Sequence, residues 1–66
     1  MDVRDIENHR VCFINTKTGE ISTKYKGFSS KFTLQVGGTY SIIRNRTETI
    51  INRITVLDYD IKSFKK

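Results

Sequence analysis

The stretch "IIRNRTETII", residues 42–51, sets the fold prediction because it places a polar segment between two pairs of isoleucines. Isoleucine is branched at Cβ and suits a pleated strand, whereas short polar segments favour turns. The stretch therefore predicts a β-hairpin with Arg44 and Arg46 at or beside its tip. Arginine offers planar donors for a phosphate or a carboxylate, so this tip is a candidate contact site or only a soluble turn.

The rest of the chain shares this bias toward strands. Ile, Val and Thr supply 21 of the 66 residues, and there is no Pro and no Ala, the residue with the highest helix propensity. A chain this short buries only about 60% of its unfolded surface, which leaves room for one small domain. The composition therefore predicts a single all-β domain.

Alternation of apolar and polar residues, together with turn residues between the alternating segments, places the strands. It predicts strands at residues 10–15, 20–26, 31–36, 39–44, 49–59 and 60–64. Residues 1–9 are expected to form an N-terminal arm, and residues 10–66 a single small β-barrel domain. The apolar positions after residue 49 also fit a helical stripe, so strand and helix both remain open for residues 49–57.

Two segments, "KFTLQVGGTYSIIRN" at residues 31–45 and "RITVLDYD" at residues 53–60, resemble the middle of the SH3-like barrels of Tudor and KOW modules. In those folds a strand often ends in an apolar residue, followed by a Gly turn and a Tyr that opens the next strand. The resemblance implies a five-stranded SH3-like barrel, with an OB-like barrel as its rival. It implies no ligand, because the chain has no Trp and no aromatic cluster typical of a peptide groove or a methyl-lysine cage.

The residues that usually carry catalysis or bind metal are scarce. His9 is the only histidine and lies beside acids, and Cys12 is the only cysteine. Acid–base catalysis most often uses a positioned His, and a structural zinc site needs about four N or S ligands. We therefore expect no enzyme, no metal and no cofactor. We also expect Cys12 to be buried, because apolar residues flank it.

The ends and the single cysteine bear on the location of the protein. The chain begins with a methionine and a charged segment, which indicates a complete small protein without a secretory signal. No apolar run approaches the roughly 18 residues of a membrane span. One cysteine cannot form an internal disulfide, so a reducing, cytoplasmic location is expected.

Charged residues supply the candidate binding site. The net charge is +5, from 12 Lys and Arg against 7 Asp and Glu, which favours anionic partners. Most aromatic residues are expected in the core, with Phe28 and Tyr59 as exposed exceptions. Asp58 and Asp60 are spaced to share one face of a strand. The candidate binding residues are Arg44, Arg46, Arg53, Lys24, Lys26, Tyr59, Asp58 and Asp60.

These residues fit two kinds of partner. The favoured hypothesis is a module that binds and modulates another protein, as tiny regulators of phage or mobile-element origin do, because acids and bases are mixed along the chain. The alternative is a nucleic-acid-binding barrel with a basic surface. Tyr25 lies between Lys24 and Lys26 in sequence but would point to the opposite face of a strand, which weakens a stacking site there.

Overall fold

The computed structural model describes all 66 residues and contains seven β-strands and no helix. The strands are β1 (Asp2–Arg4), β2 (Arg10–Asn15), β3 (Glu20–Tyr25), β4 (Phe28–Thr33), β5 (Thr39–Arg44), β6 (Thr47–Arg53) and β7 (Tyr59–Lys65). The all-β prediction is confirmed. Residues 49–57, for which the sequence leaves a helix open, form the end of β6 and part of the loop that follows it.

The strands divide into two antiparallel sheets in chain order. Sheet 1 has the order β1-β2-β3-β4, and sheet 2 has the order β5-β6-β7. β4 and β5 are consecutive in the chain but do not pair, so neither sheet closes on itself or on the other. The hydrogen bonding therefore gives an open pair of sheets in place of a closed five-stranded barrel.

The position of β4 contributes to this difference. The sequence predicts a strand at residues 31–36, whereas β4 begins at Phe28. Lys26 and Gly27 have φ angles of 50° and 84°, as in a tight two-residue hairpin turn, so pairing resumes with Tyr25 opposite Phe28. The strand is thereby shifted toward the N-terminus, and residues 34–36 fall in the connection between the two sheets.

The arm expected at residues 1–9 is instead part of sheet 1. β1 pairs with β2, which places Val3 opposite Cys12, and Val3 is buried. The N-terminal amine of Met1 donates a hydrogen bond to the Ile14 carbonyl oxygen at 2.8 Å. A boundary at residue 10 would therefore fall between two paired strands.

The core lies between the two sheets and is small. Its buried apolar residues are Val3, Val11, Cys12, Ile14, Ile21, Leu34, Ile42 and Ile51. Phe32 and Tyr40 pack against this cluster with their ring centres 4.4 Å apart in an edge-on arrangement. Cys12 is only 2% exposed, which confirms the expected burial, and burial raises the pKa of its thiol to about 11.

The up-and-down course of the chain gives the molecule two ends, which are named here by their connections. The tip end contains the loop 5–9 and the two-residue turns 26–27 and 45–46. The loop end contains the turn 16–19 and the loops 34–38 and 54–58.

The hairpin predicted from "IIRNRTETII" is present at the tip end. Its turn residues Asn45 and Arg46 have φ angles of 45° and 70°, and Arg44 pairs with Thr47 across the turn. Thr47 therefore begins β6 rather than belonging to the turn.

Candidate functional site

Charge is distributed unevenly between the two ends of the molecule. The charged residues at and near the loop end are three cations and three carboxylates, namely Lys17, Arg53, Lys62, Glu20, Asp58 and Asp60. These charges balance, so the net charge of +5 is carried by the remaining residues, here called the tip half, which include Lys31 in the middle of β4. The tip half holds nine of the twelve cations and four of the seven carboxylates, so the excess of positive charge lies there.

Several carboxylates of the tip half are matched by nearby cations. These ion pairs join Arg4 and Arg10 to Asp2, Lys65 to Glu7, and Lys66 to Glu48. A hydrogen bond from Ser41, together with the ammonium of Lys66 at 3.3 Å, lowers the pKa of the Glu48 carboxyl. The cations of this half that form no ion pair are Lys24, Lys26, Lys31, Arg44 and Arg46.

Tyr25 joins the two hairpin tips. The guanidinium carbon of Arg44 lies 4.2 Å from the centre of the Tyr25 ring, and the ammonium of Lys26 lies 5.3 Å from it. The Tyr25 hydroxyl also donates a hydrogen bond to the side-chain oxygen of Asn45 at 3.4 Å. These contacts bring the predicted basic residues of both hairpins to one end, while cations already occupy the Tyr25 ring.

Phe13 lies on the outward face of sheet 1. Its neighbours Cys12 and Ile14 are buried in the core, and Phe13 is 48% exposed. In the strand register Phe13 lies opposite Ser22, which in turn lies opposite Lys31. An aromatic ring, a hydroxyl and a cation therefore form one row across three strands.

A groove of about 270 Å³ follows β2, β3 and β4. Its lining includes three cations, three serine hydroxyls and one aromatic ring, from Arg10, Lys24, Lys31, Ser22, Ser29, Ser30 and Phe13. Lys24 lies opposite Ser29, two positions from the Ser22–Lys31 pair and therefore on the same face. No carboxylate lines the groove, so it favours an anionic ligand.

Asp5 anchors the first loop at the tip end. Its carboxylate accepts hydrogen bonds from the backbone N–H groups of Glu7 and His9, each at 2.9 Å, and lies 3.2 Å from the Thr47 hydroxyl. Burial alone raises the pKa of the Asp5 carboxyl, but these hydrogen bonds and the nearby His9 outweigh it, and the pKa is lowered. The loop is thereby attached to sheet 2 through Thr47.

Arg53 does not belong to the exposed basic surface. It is only 6% exposed, and its guanidinium donates hydrogen bonds to the carbonyl oxygens of Leu34 at 2.7 Å, Val56 at 3.0 Å and Thr18 at 3.3 Å. These carbonyls come from the three connections of the loop end. The fold thus directs the Nη groups of Arg53, a predicted binding residue, to backbone carbonyls inside the protein.

The predicted acidic and aromatic contacts near residue 59 also have local partners. Tyr59 packs against the core and its hydroxyl donates a hydrogen bond to the Thr16 carbonyl oxygen at 3.2 Å, so it is not an exposed aromatic. Asp58 precedes β7 and accepts a hydrogen bond from the Thr55 hydroxyl at 2.7 Å. Asp58 and Asp60 therefore do not form a pair on one strand face, and all three residues lie away from the tip end.

The loop end also exposes several apolar side chains. Those exposed by more than half are Val36, Ile54, Val56 and Leu57. Val36 lies in one loop and the other three in the next, and Arg53 holds the two loops together through the Leu34 and Val56 carbonyls. The loop end thus presents an apolar surface, while carbonyl groups of its loops accept hydrogen bonds inside the protein.

Sequence reasoning missed Phe13 and underweighted Lys31 and Arg10. Phe13 sits in an apolar run that suggests burial, but the buried flanking pair Cys12 and Ile14 forces it outward. This alternation between the two faces of the strand is the sequence signal that predicts the exposure of Phe13. No three His, Cys, Asp or Glu side chains come together as in a metal site, and no helix could span a membrane.

No family model matches the chain, and neither a curated protein nor a solved structure matches it.

Proposed function

We propose that the protein is a non-enzymatic module that binds nucleic acid through the basic surface of its tip end. One observation carries this proposal: five cations without an ion pair surround the hairpin tips and the groove. Lys and Arg that neutralise phosphates supply much of the affinity for nucleic acid. We also propose that this open pair of sheets is related in fold to small SH3-like and OB-like modules.

The backbone at the two tips supports the same proposal. Lys26 and Arg46 occupy the left-handed region, with φ angles of 50° and 70°. Turn positions of this kind prefer Gly, Asn or Asp, and other residues cost about 1–2 kcal/mol there. Strained positions concentrate at functional sites, so the presence of a cation at both tips supports a contact role.

Salt dependence of binding tests the proposal. The variant Lys24→Ala/Lys31→Ala removes two cations beside the groove, and Lys17→Ala/Lys62→Ala removes two cations elsewhere, so both have the same net charge. We expect the first variant to reduce the slope of log affinity against log salt by about 1.4 on single strands, and the second to leave it near the wild-type value. The measurement is fluorescence anisotropy with labelled oligonucleotides over a salt series.

Equal effects of the two variants would show that only overall charge matters and would remove the assigned surface. Absence of measurable binding by the wild type at low salt would overturn the function itself. Denaturant unfolding of both variants controls for folding, because exposed lysines should change stability by no more than about 0.5 kcal/mol.

Binding of a partner protein is the second candidate, and the loop end favours it. Contiguous exposed apolar residues mark interaction sites in many proteins, and this end presents Val36, Ile54, Val56 and Leu57. A pull-down from lysate treated with nuclease tests it. Leu57→Asp should abolish a specific complex while Ile43→Asp, at a similarly exposed position on sheet 2, should retain it. A complex that survives Leu57→Asp or disappears with nuclease would count against this candidate.

A further inference from the structure

We infer that the groove over β2, β3 and β4 takes an unpaired nucleobase, which stacks on Phe13 while its flanking phosphates meet Lys24 and Lys31. This inference rests on the proposed nucleic-acid function and names the substrate class as single-stranded DNA or RNA. It begins from the position of one aromatic ring. Phe13 is half exposed at 48% in the middle of a sheet, so much of its aromatic ring is open to a ligand.

The surroundings of Phe13 are polar and cationic. Ser22 is its direct neighbour across β3, and Lys31 follows on β4. With strands about 4.8 Å apart, Lys31 starts about 10 Å from Phe13, and Lys24 lies two residues along the neighbouring strand from Ser22. A base on the Phe13 ring would therefore have cations on its phosphate side and hydroxyl donors at its edge.

The other aromatic rings do not offer this arrangement. Tyr25 is already engaged by Arg44 at 4.2 Å, and Phe32 packs on Tyr40. Phe64 is 40% exposed on sheet 2 and Phe28 is 81% exposed on β4, but neither ring lines the groove. Phe13 is thus the exposed ring that lies in the groove together with cations.

The geometry favours single strands over duplexes. A duplex keeps its bases paired and stacked inside, so it offers phosphates to the lysines but no free base to Phe13. An unpaired base has a free π-face, and base–aromatic stacking is tolerant of sequence. Asp2, the carboxylate opposite Phe13 on β1, is held by Arg10 at 3.0 Å, so it does not leave a free negative charge beside the ring.

The test compares labelled oligo(dT), oligo(U) and a duplex of equal length on four variants. We expect Phe13→Ala and Phe13→Leu to weaken binding of either single strand by about 10-fold or more, and to change duplex binding less than twofold. Phe13→Tyr keeps a stacking ring and should retain affinity. Phe64→Ala is the matched control, an exposed phenylalanine on the other sheet, and should also retain it.

The outcomes distinguish failure of the stacking site from failure of the nucleic-acid function. If Phe13→Leu binds single strands as tightly as the wild type while Lys24→Ala/Lys31→Ala lowers the salt slope, the stacking site is overturned and the nucleic-acid function stands. Equal loss from Phe13→Ala and Phe64→Ala would likewise overturn the stacking site. If the wild type binds neither single strands nor duplex at low salt, both proposals fail.

Discussion

The tip end and the loop end are built from the same alternating strands, but they use arginine in opposite ways. At the loop end Arg53 is buried and donates its hydrogen bonds to three carbonyl groups of the chain. At the tip end Arg44 lies over the ring of Tyr25, and Arg46 is exposed in a turn. One end thus uses guanidinium groups for internal structure, and the other presents them to solvent.

The difference follows from the connections next to these arginines. The two hairpin turns at the tip end have only two residues each, and their strands continue to pair up to the turn. Longer loops at the loop end leave backbone carbonyls without strand partners, and buried carbonyls need donors. Arg53 supplies several donors at once. A guanidinium group is thus exposed where strand pairing already supplies the backbone hydrogen bonds, and it is buried where loop carbonyls need donors.

The largest expected effect concerns the packing of Gly19 against Arg53. Gly19 has a φ angle of 82°, and a Cβ there would overlap the Arg53 guanidinium and lie 2.5 Å from the Leu34 carbonyl oxygen. Gly19→Ala should lower the free energy of unfolding by about 3 kcal/mol or more, measured in denaturant.

The matched control for Gly19 is Gly37→Ala at the same end. Gly37 has a φ angle of 84° but no atom near the position of a Cβ. Its substitution should cost only the left-handed backbone term of about 1–2 kcal/mol. Equal costs at the two glycines would mean that the loop end is not packed tightly around Arg53, and the contrast between the ends would weaken.

The next largest effect concerns Asp5, which holds a loop at the tip end as Arg53 holds the loops at the loop end. Asp5→Ala removes the acceptor for two backbone N–H groups and should cost about 2 kcal/mol at pH 7. The folded-state pKa of Asp5 is lowered, so its stabilisation is present above the ordinary Asp pKa and is lost as pH falls through the folded-state value. The difference between wild type and Asp5→Ala should therefore be constant from about pH 5 upward and shrink below about pH 4.

Asp60→Ala serves as the control for Asp5. The Asp60 side chain is 44% exposed and lies 3.9 Å from Lys62, so it should contribute no more than about 1 kcal/mol. A difference between wild type and Asp5→Ala that does not shrink in acid would show that the carboxylate charge is not what holds the first loop.

The smallest expected change in stability concerns Arg46, where stability and binding should move in opposite directions. Arg46→Gly relieves the positive φ angle of 70° and should stabilise the protein by about 0.5–1 kcal/mol. It should also reduce the salt slope of single-strand binding by about 0.7, because one cation is lost. Thermal unfolding and anisotropy measure the two effects.

Arg46→Lys keeps both the charge and the backbone conformation, so it should resemble the wild type in both assays. A gain in stability from Arg46→Gly without any change in binding would leave the arginine as a soluble turn residue and would exclude it from the proposed surface.

Much of the local structure could be predicted from the alternation of residue types. β2 and β5 have the predicted bounds, and the hairpin after Ile43 turns where expected, because side chains alternate between faces with a period of two. The start of β4 could not be predicted in the same way. It depends on Lys26 adopting a positive φ angle, which its residue type does not favour.

The candidate site was predictable only in part. Lys24, Lys26, Arg44 and Arg46 were predicted as binding residues, but their gathering at one end depends on two hairpins that meet at Tyr25. The sequence also gave no reason to separate these cations from those that pair with distant acids, because ion pairs such as Lys66 with Glu48 join different strands.

The sequence by itself determined the all-β class, the hairpin at residues 42–51, the burial of Cys12 and the excess of positive charge. Only the tertiary structure decided which cations are exposed. Arg44, Arg46 and Arg53 look alike in a linear pattern, yet Arg53 is buried because carbonyl groups of residues 18, 34 and 56 converge on it. Burial and charge pairing depend on neighbours far apart in the chain, and the fold alone brings those neighbours together.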